Sequence, residues 1–193
     1  MTKWLSHRMV ERGIIKEEEQ ELYQFGIRNG MILLLNVVTA LVIGLLTEQL
    51  AVVAEFTLSF MVLRSYTGGY HSDSRVFCYL GSNLVLLVPV YTQAVFYKTS
   101  LAWLLAVLLV SAGIIFLLSP MHSKNRKLDK EEQKHFGRKA RLIAALELAV
   151  LGILWHAGQI PYAYAVYTGI CITALFMLVG KAQLWIQSHT ENG

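Results

Sequence analysis

Long apolar runs separated by short polar stretches are the dominant pattern along this chain. Six runs are candidates for helices that cross a bilayer, which takes roughly 20 apolar residues. They lie at about 30–47, 49–64, 76–97, 100–119, 141–156 and 161–180. The second and the fifth are short and each carries a glutamate, Glu55 and Glu147, so they are the weaker candidates. Buried helices of a soluble protein would need polar faces that these runs lack. The pattern predicts an all-α polytopic membrane protein with about six transmembrane helices.

Residues 1–29 precede the first apolar run and mix charged with apolar side chains, among them Trp4 and Ile14. They predict an N-terminal amphipathic segment that lies on the membrane surface. A solvated helical lead-in to the first span fits the same residues equally well. Because the apolar run comes so late, we do not expect this segment to be a cleaved signal peptide.

Composition agrees with a membrane protein. Hydrophobic residues make up 55% of the chain and charged residues 16%, whereas soluble domains have roughly 45–50% and about 25%. No linker, low-complexity segment or repeat divides the sequence. We therefore expect a single integral membrane domain over residues 1–193.

The basic residues indicate how the chain is oriented. With six spans, the N-terminal region, the 64–75 loop, the 120–141 loop and the C-terminal tail face the same side, and they hold 16 of the 17 Lys and Arg residues. The positive-inside rule makes that side cytoplasmic, so both termini and both loops are expected inside the cell. The net charge of +4 then reflects topology and contact with anionic membrane lipid, and nucleic acid is not an expected partner.

The segment 64–78, RSYTGGYHSDSRVFC, is polar where its surroundings are apolar. Gly68 and Gly69 predict an irregular turn. The residues 72–74, Ser-Asp-Ser, are good N-caps and stand directly before the next apolar run, so a helix is predicted to start there. This places Cys78 in the first turn of that helix, where the positive partial charge of the helix N-terminus favours a thiolate.

His71 lies seven residues before Cys78. In one continuous helix this separation is roughly 10 Å along the axis, too long for a hydrogen bond. The turn is what allows His71 to fold back onto Cys78. An imidazole paired with the thiol would keep it nucleophilic and would carry the proton during catalysis.

Other interpretations of the same residues remain open at this point. One His and one Cys are too few for a metal site, so neither a metal nor another cofactor is expected. Cys171 lies within the last apolar run and is expected to be a small buried hydrophobe. The chemistry alone supports a thiol enzyme and a small transporter about equally, with 64–78 a purely structural loop in the transporter.

The pattern Arg64, Gly68-Gly69, His71, Cys78, Tyr79 and Ser82 resembles the signature of the accessory gene regulator protein B family, the membrane cysteine endopeptidases of Gram-positive quorum sensing. The family's Arg-x6-His-x6-Cys spacing is met, and Pro120 followed by a polar basic loop is also typical of the family. The resemblance implies a bacterial cell membrane location and a peptide partner, the precursor of an autoinducing peptide. Cys78 would attack the precursor, release its C-terminal part and hold the rest as a thioester, with His71 as base and acid. A side chain of the precursor would then close a lactone or thiolactone ring. We expect a homodimer.

Supporting roles are assigned to residues around this pair. Arg64 is predicted to hold a carboxylate of the precursor or to orient the loop through its carbonyls, with an ordinary membrane-flank arginine as the alternative. Backbone N–H groups near Gly69, or at the start of the helix that follows, are candidates for the oxyanion site. Ser82 and Asn83, about one turn beyond the cysteine, either face the site or bond between helices. Glu55 should face the protein interior, where it could pair with Arg64.

The basic 120–141 loop has two interpretations. Asp129 with Glu132 three residues later predicts a capping box at the start of a helix. The helix is either a solvated charged face that fixes topology or, by the resemblance, a surface that attracts the acidic C-terminal part common in precursors of this family. The competing function for the whole chain is a non-enzymatic membrane transporter or peptide-export helper.

Overall fold

The computed structural model describes residues 2–68, 75–121 and 129–190. Within these ranges the chain forms α-helices, one short 3-10 turn at Glu17–Glu19 and no β-strand, which confirms the predicted all-α class. The helices are α1 (Thr2–Glu11), α2 (Gln20–Leu46), α3 (Leu50–Thr67), α4 (Arg75–Lys98), α5 (Leu101–Leu118), α6 (Lys130–His156) and α7 (Ile160–Thr190).

All six predicted apolar runs lie in helices, and five helical segments of the described chain are long and apolar enough to cross a membrane. They are Glu17–Leu46, Leu50–Thr67, Tyr79–Lys98, Leu101–Leu118 and Ile160–Ile186. The polytopic membrane class is therefore confirmed. The run at 141–156 is in α6, which falls outside this set, so the sixth span stays a prediction. Nevertheless α6 packs against α3, α5 and α7, which are three of the spanning helices.

The chain divides into two compact units, Met1–Thr39 and Ala40–Gly193. In the first unit, α1 presents exposed Trp4 to its surroundings, and the Arg8 guanidinium lies 5.1 Å from the Trp4 ring centroid. The next helical stretch begins after Lys16, whose backbone N–H donates to the Glu19 carboxylate at 3.2 Å. The helix at residues 2–11 suits the predicted amphipathic segment, and its place on a membrane surface stays a prediction. That residues 1–193 form a single integral membrane domain also stays a prediction.

In the second unit α7 is the central helix. It contacts α3, α4, α5 and α6, and these neighbours bury the first half of α7 on nearly all sides. The buried apolar residues of α7 are Ala163, Tyr164, Ala165, Val166, Ile170, Ala174 and Met177. Small side chains let helix backbones approach closely when apolar lipid replaces water as the surroundings. The many alanines and the Gly169 of α7 therefore suit it to the centre of the bundle.

A hydrogen-bonded contact between α4 and α7 positions the helix that begins near Cys78. Pro89 lies inside α4 and removes one backbone donor from the helix. The buried Tyr164 hydroxyl donates to the Pro89 carbonyl at 3.0 Å and lies 2.6 Å from the Thr92 hydroxyl oxygen. Its ring packs on Phe96, with centroids 4.8 Å apart. The middle of α4 is thereby attached to the central helix.

Candidate functional site

The structure describes most but not all of the predicted site. The side chains of Glu55, Arg64, Ser82 and Asn83 and the backbone of Gly68 are described, whereas Gly69 and His71 lie outside the described residues. For Cys78 the backbone is described, in the first turn of α4. The helix begins at Arg75, directly after the capping residues that the sequence predicts. The pairing of His71 with Cys78 stays a prediction.

The turn predicted at Gly68 begins where α3 ends. Gly68 has φ +74° and ψ −155°, a combination that is essentially restricted to glycine. A Cβ atom at this position would also lie 2.6 Å from the Met121 carbonyl oxygen, closer than real Cβ contacts allow. Both the backbone angles of Gly68 and the nearby Met121 backbone therefore require glycine at this position.

Arg64, in the last turn of α3, points toward this turn. Its Nη1 donates to the Gly68 carbonyl oxygen, and its guanidinium carbon lies 5.4 Å from the centroid of the Phe176 ring in α7. The roles predicted for Arg64 stay predictions, and the structure adds its contact with one carbonyl, that of Gly68. The alternative partner, Glu55, is nine residues earlier in the same helix, about 13 Å along the axis.

Glu55 instead belongs to a polar cluster between helices, together with Glu147, the other glutamate of the weaker apolar runs. Glu55 is half-buried and is near enough to Glu147 of α6 for their like charges to repel each other. The Ser59 hydroxyl of α3 donates to Glu147 Oε2 at 2.8 Å. The Ser59 hydroxyl gives the Glu147 carboxylate a hydrogen-bond donor, which apolar surroundings do not supply.

Ser82 and Asn83 are both half-buried in α4. The Asn83 amide donates to the Tyr79 carbonyl at 3.0 Å. Its Oδ1 is buried and accepts no hydrogen bond within the described part of the chain. The choice between facing the site and bonding between helices stays open for both residues.

The predicted capping box at the start of α6 is confirmed. The Glu132 N–H donates to Asp129 Oδ1 at 2.7 Å, and the Asp129 N–H donates back to Glu132 Oε2 at 3.4 Å. The exposed basic residues that follow lie against the ends of two other helices. Lys139 Nζ is 5.8 Å from the Tyr66 ring centroid of α3, and Arg141 Nε donates to the Phe116 carbonyl of α5 at 3.1 Å.

Sequence reasoning missed the contact between the end of α3 and the link from α5 to α6. The Met121 N–H donates to the Thr67 carbonyl at 2.9 Å. Pro120 packs on Gly137 of α6, where a Cβ would lie 2.9 Å from Pro120 Cδ. The only available signal was that Pro120 and Gly137 are residues that often mark close backbone approaches. Among the described residues, no three His, Cys, Asp or Glu side chains come together as metal ligands.

Comparison with known proteins agrees with the resemblance that the 64–78 segment carries. The family model described as Accessory gene regulator B matches residues 1–178. A "Putative AgrB-like protein" of Clostridium perfringens (strain SM101) is 23% identical over 148 residues, covering 74% of this chain and 69% of the relative. The "Accessory gene regulator protein B" of Staphylococcus intermedius is 26% identical over 121 residues, 63% of this chain and 62% of the relative.

A second Clostridium perfringens protein (strain 13), "Putative AgrB-like protein 2", is 24% identical over 131 residues, 65% of this chain and 61% of the relative. No solved structure matches the chain. The family match extends over most of the sequence and includes the 64–78 segment with its histidine and cysteine. The chain therefore belongs to the accessory gene regulator B family.

Proposed function

We propose that the chain is a membrane cysteine endopeptidase of quorum sensing, which removes the C-terminal part of an autoinducing-peptide precursor and allows the remainder to cyclise. Family membership supports the quorum-sensing role. The observation that carries the peptidase assignment is the position of Cys78 in the first turn of α4, in a helix separate from α3, which ends at Thr67. A helix N-terminus stabilises a thiolate, and we assign the role of the nearby base to His71, seven residues earlier in the sequence.

In this reaction the Cys78 thiolate attacks the carbonyl carbon at the cleavage position of the precursor. The new C–S bond forms as the C–N bond breaks, and His71 gives a proton to the departing amine. A thiol or hydroxyl of the precursor then loses its proton to His71 and attacks the thioester carbonyl. The C–S bond breaks, the ring closes and Cys78 returns as a thiolate. A thioester keeps the acyl group reactive, and exclusion of water favours cyclisation over hydrolysis.

The basic start of α6 is the surface that we assign to the C-terminal part of the precursor. Lys134, Arg138 and Lys139 are exposed there. Lys139 lies on Tyr66, one residue before the end of α3. A precursor with an acidic C-terminal part would be attracted to this face at the end of the helix from which the catalytic segment departs. We further propose that this side of the protein is cytoplasmic and that the protein acts as a homodimer.

Trapping of the acyl-enzyme tests the peptidase assignment. The full chain is reconstituted in liposomes with a candidate precursor whose ring-closing residue is replaced by alanine. The N-terminal fragment should remain on Cys78 as an adduct that hydroxylamine releases, and intact-protein mass spectrometry measures it. Cys171→Ala should form the adduct normally, His71→Ala little of it and Cys78→Ala none. Precursor cleavage that continues in Cys78→Ala would exclude the mechanism, and peptide transport without any cleavage would support the export-helper alternative.

A further inference from the structure

We propose that a backbone contact between Thr67–Gly68 and Pro120–Met121 orients the catalytic segment. In this proposal Arg64 is a positioning residue that acts through the Gly68 carbonyl. It is not a ligand for the precursor's carboxylates. This inference rests on the proposed function and adds to it the device that aims the segment containing His71. We call these four residues with Arg64 the α3-end joint.

The backbone contact of the α3-end joint is unusually close. The Met121 N–H donates to the Thr67 carbonyl at 2.9 Å, and the place of a Gly68 Cβ lies 2.6 Å from the Met121 carbonyl oxygen. The two segments of the chain thus meet through backbone atoms, which have no side-chain rotamers by which to adjust. A joint of this kind holds its geometry more tightly than side-chain packing does.

Two side chains of α3 hold the Gly68 carbonyl. Arg64 Nη1 donates to it, and the Thr67 hydroxyl donates to it at 3.4 Å. The guanidinium is itself held by the face of Phe176. A planar guanidinium can stack on a ring and donate in its own plane at the same time, which a lysine ammonium cannot do. Because that carbonyl belongs to the peptide bond leading into the catalytic segment, its orientation sets the direction in which the segment leaves α3.

The α3-end joint is fastened to the core of the second unit. Thr67 is fully buried, and Met121 packs on the cluster formed by Leu63, Ile115 and the middle of α7. On the other side Pro120 is covered by Gly137 of α6. The start of the catalytic segment is therefore attached to α5, α6 and α7 as well as to α3. Displacement of reacting groups by about 1 Å can lower a rate by about 100-fold, so such attachment has a catalytic purpose.

The two roles for Arg64 make different predictions for the thiol in the absence of any precursor. If Arg64 only binds carboxylates of the precursor, its substitution leaves the pairing of His71 with Cys78 intact. If Arg64 is a positioning residue, its substitution disturbs that pairing, and Cys78 then behaves as a free thiol. At neutral pH a free thiol is only a few per cent ionised, so loss of the pairing should slow alkylation by about tenfold.

The experiment measures the rate at which iodoacetamide, a small neutral probe, alkylates Cys78 as a function of pH. The full chain is used in a Cys171→Ala background. Arg64→Lys and Gly68→Ala should each slow alkylation at neutral pH by about tenfold and move the midpoint of the pH profile toward that of a free thiol, about 8.5. His71→Ala should do the same, and adding Arg64→Lys to it should have no further effect.

Gly158→Ala is the matched control. Gly158 also has positive φ, at +73°, but no atom lies within 4 Å of a Cβ placed there. The Gly158→Ala variant should unfold slightly more easily than the wild type, while the pH profile of Cys78 alkylation stays unchanged. An unchanged profile in Arg64→Lys and Gly68→Ala would overturn the joint while leaving the peptidase assignment in place. If His71→Ala also leaves the profile unchanged, the His71–Cys78 pair itself is wrong and the proposed function falls with it.

Discussion

A close approach between α3 and α7 at Gly169 provides a quantitative test of the packing. Gly169 of α7 faces Ser59 of α3, and a Cβ added at Gly169 would lie 2.5 Å from Ser59 Oγ and 3.1 Å from Ser59 Cβ. Rotation of the hydroxyl relieves only the first contact and breaks its 2.8 Å hydrogen bond to the Glu147 carboxylate. The second contact forces the helices apart. Gly169→Ala should therefore weaken the packing of α3, α6 and α7 together.

The expected loss for Gly169→Ala follows from three contributions. Overpacking of a close interface costs roughly 1–3 kcal/mol. A lost hydrogen bond to a carboxylate costs about 1.5–3 kcal/mol in full, although partial rotation of the hydroxyl retains part of it. Alanine has a higher helix propensity than glycine, and this gain offsets about 1 kcal/mol of the two losses. The net decrease in the free energy of unfolding should be about 1–4 kcal/mol.

The assay is reversible unfolding in mixed micelles with increasing sodium dodecyl sulfate, followed by tryptophan fluorescence and far-ultraviolet circular dichroism. Gly152→Ala in α6 is the control, since no atom lies within 4 Å of a Cβ placed there. It should unfold at the wild-type midpoint or slightly above it. Adding Ser59→Ala to Gly169→Ala removes the closest atom, so the double variant should lose less than the sum of the two single losses. Equal midpoints for Gly169→Ala and Gly152→Ala would refute the contact.

Three further outcomes can be measured. Iodoacetamide should modify Cys78 much faster than the partly buried Cys171 near neutral pH, and equal rates by peptide mass spectrometry would make Cys78 structural. Tyr164→Phe should lower the free energy of unfolding by about 1 kcal/mol through loss of the hydrogen bond to Pro89, and a wild-type midpoint would contradict that bond. In a chain otherwise without cysteine, an impermeant maleimide added to intact cells should label Gln159→Cys but not Glu131→Cys, and the reverse would invert the topology.

Local features of this protein could be predicted from its sequence because neighbouring residues determine them. Apolar runs of this length form helices in a membrane because a helix satisfies its backbone hydrogen bonds within the segment itself. Gly68 ends α3, and Asp129 with Glu132 caps α6, because each feature depends on residues at most a few positions apart. The same holds for the place of Cys78 at the start of α4. The Arg-x6-His-x6-Cys spacing likewise pointed to the family without any structure.

Contacts between distant parts of the chain were decided only by the tertiary structure. The ring that the Arg64 guanidinium contacts belongs to Phe176, which lies over a hundred positions away in the sequence. The partner of Glu147 is Ser59, 88 positions earlier, and the neighbour of Gly68 is Met121. An apolar helix in lipid can turn almost any face toward its neighbours with a similar gain, because lipid and side chains are equally apolar. Close packing at small residues and a few hydrogen bonds select the faces that meet, and these depend on all the helices at once.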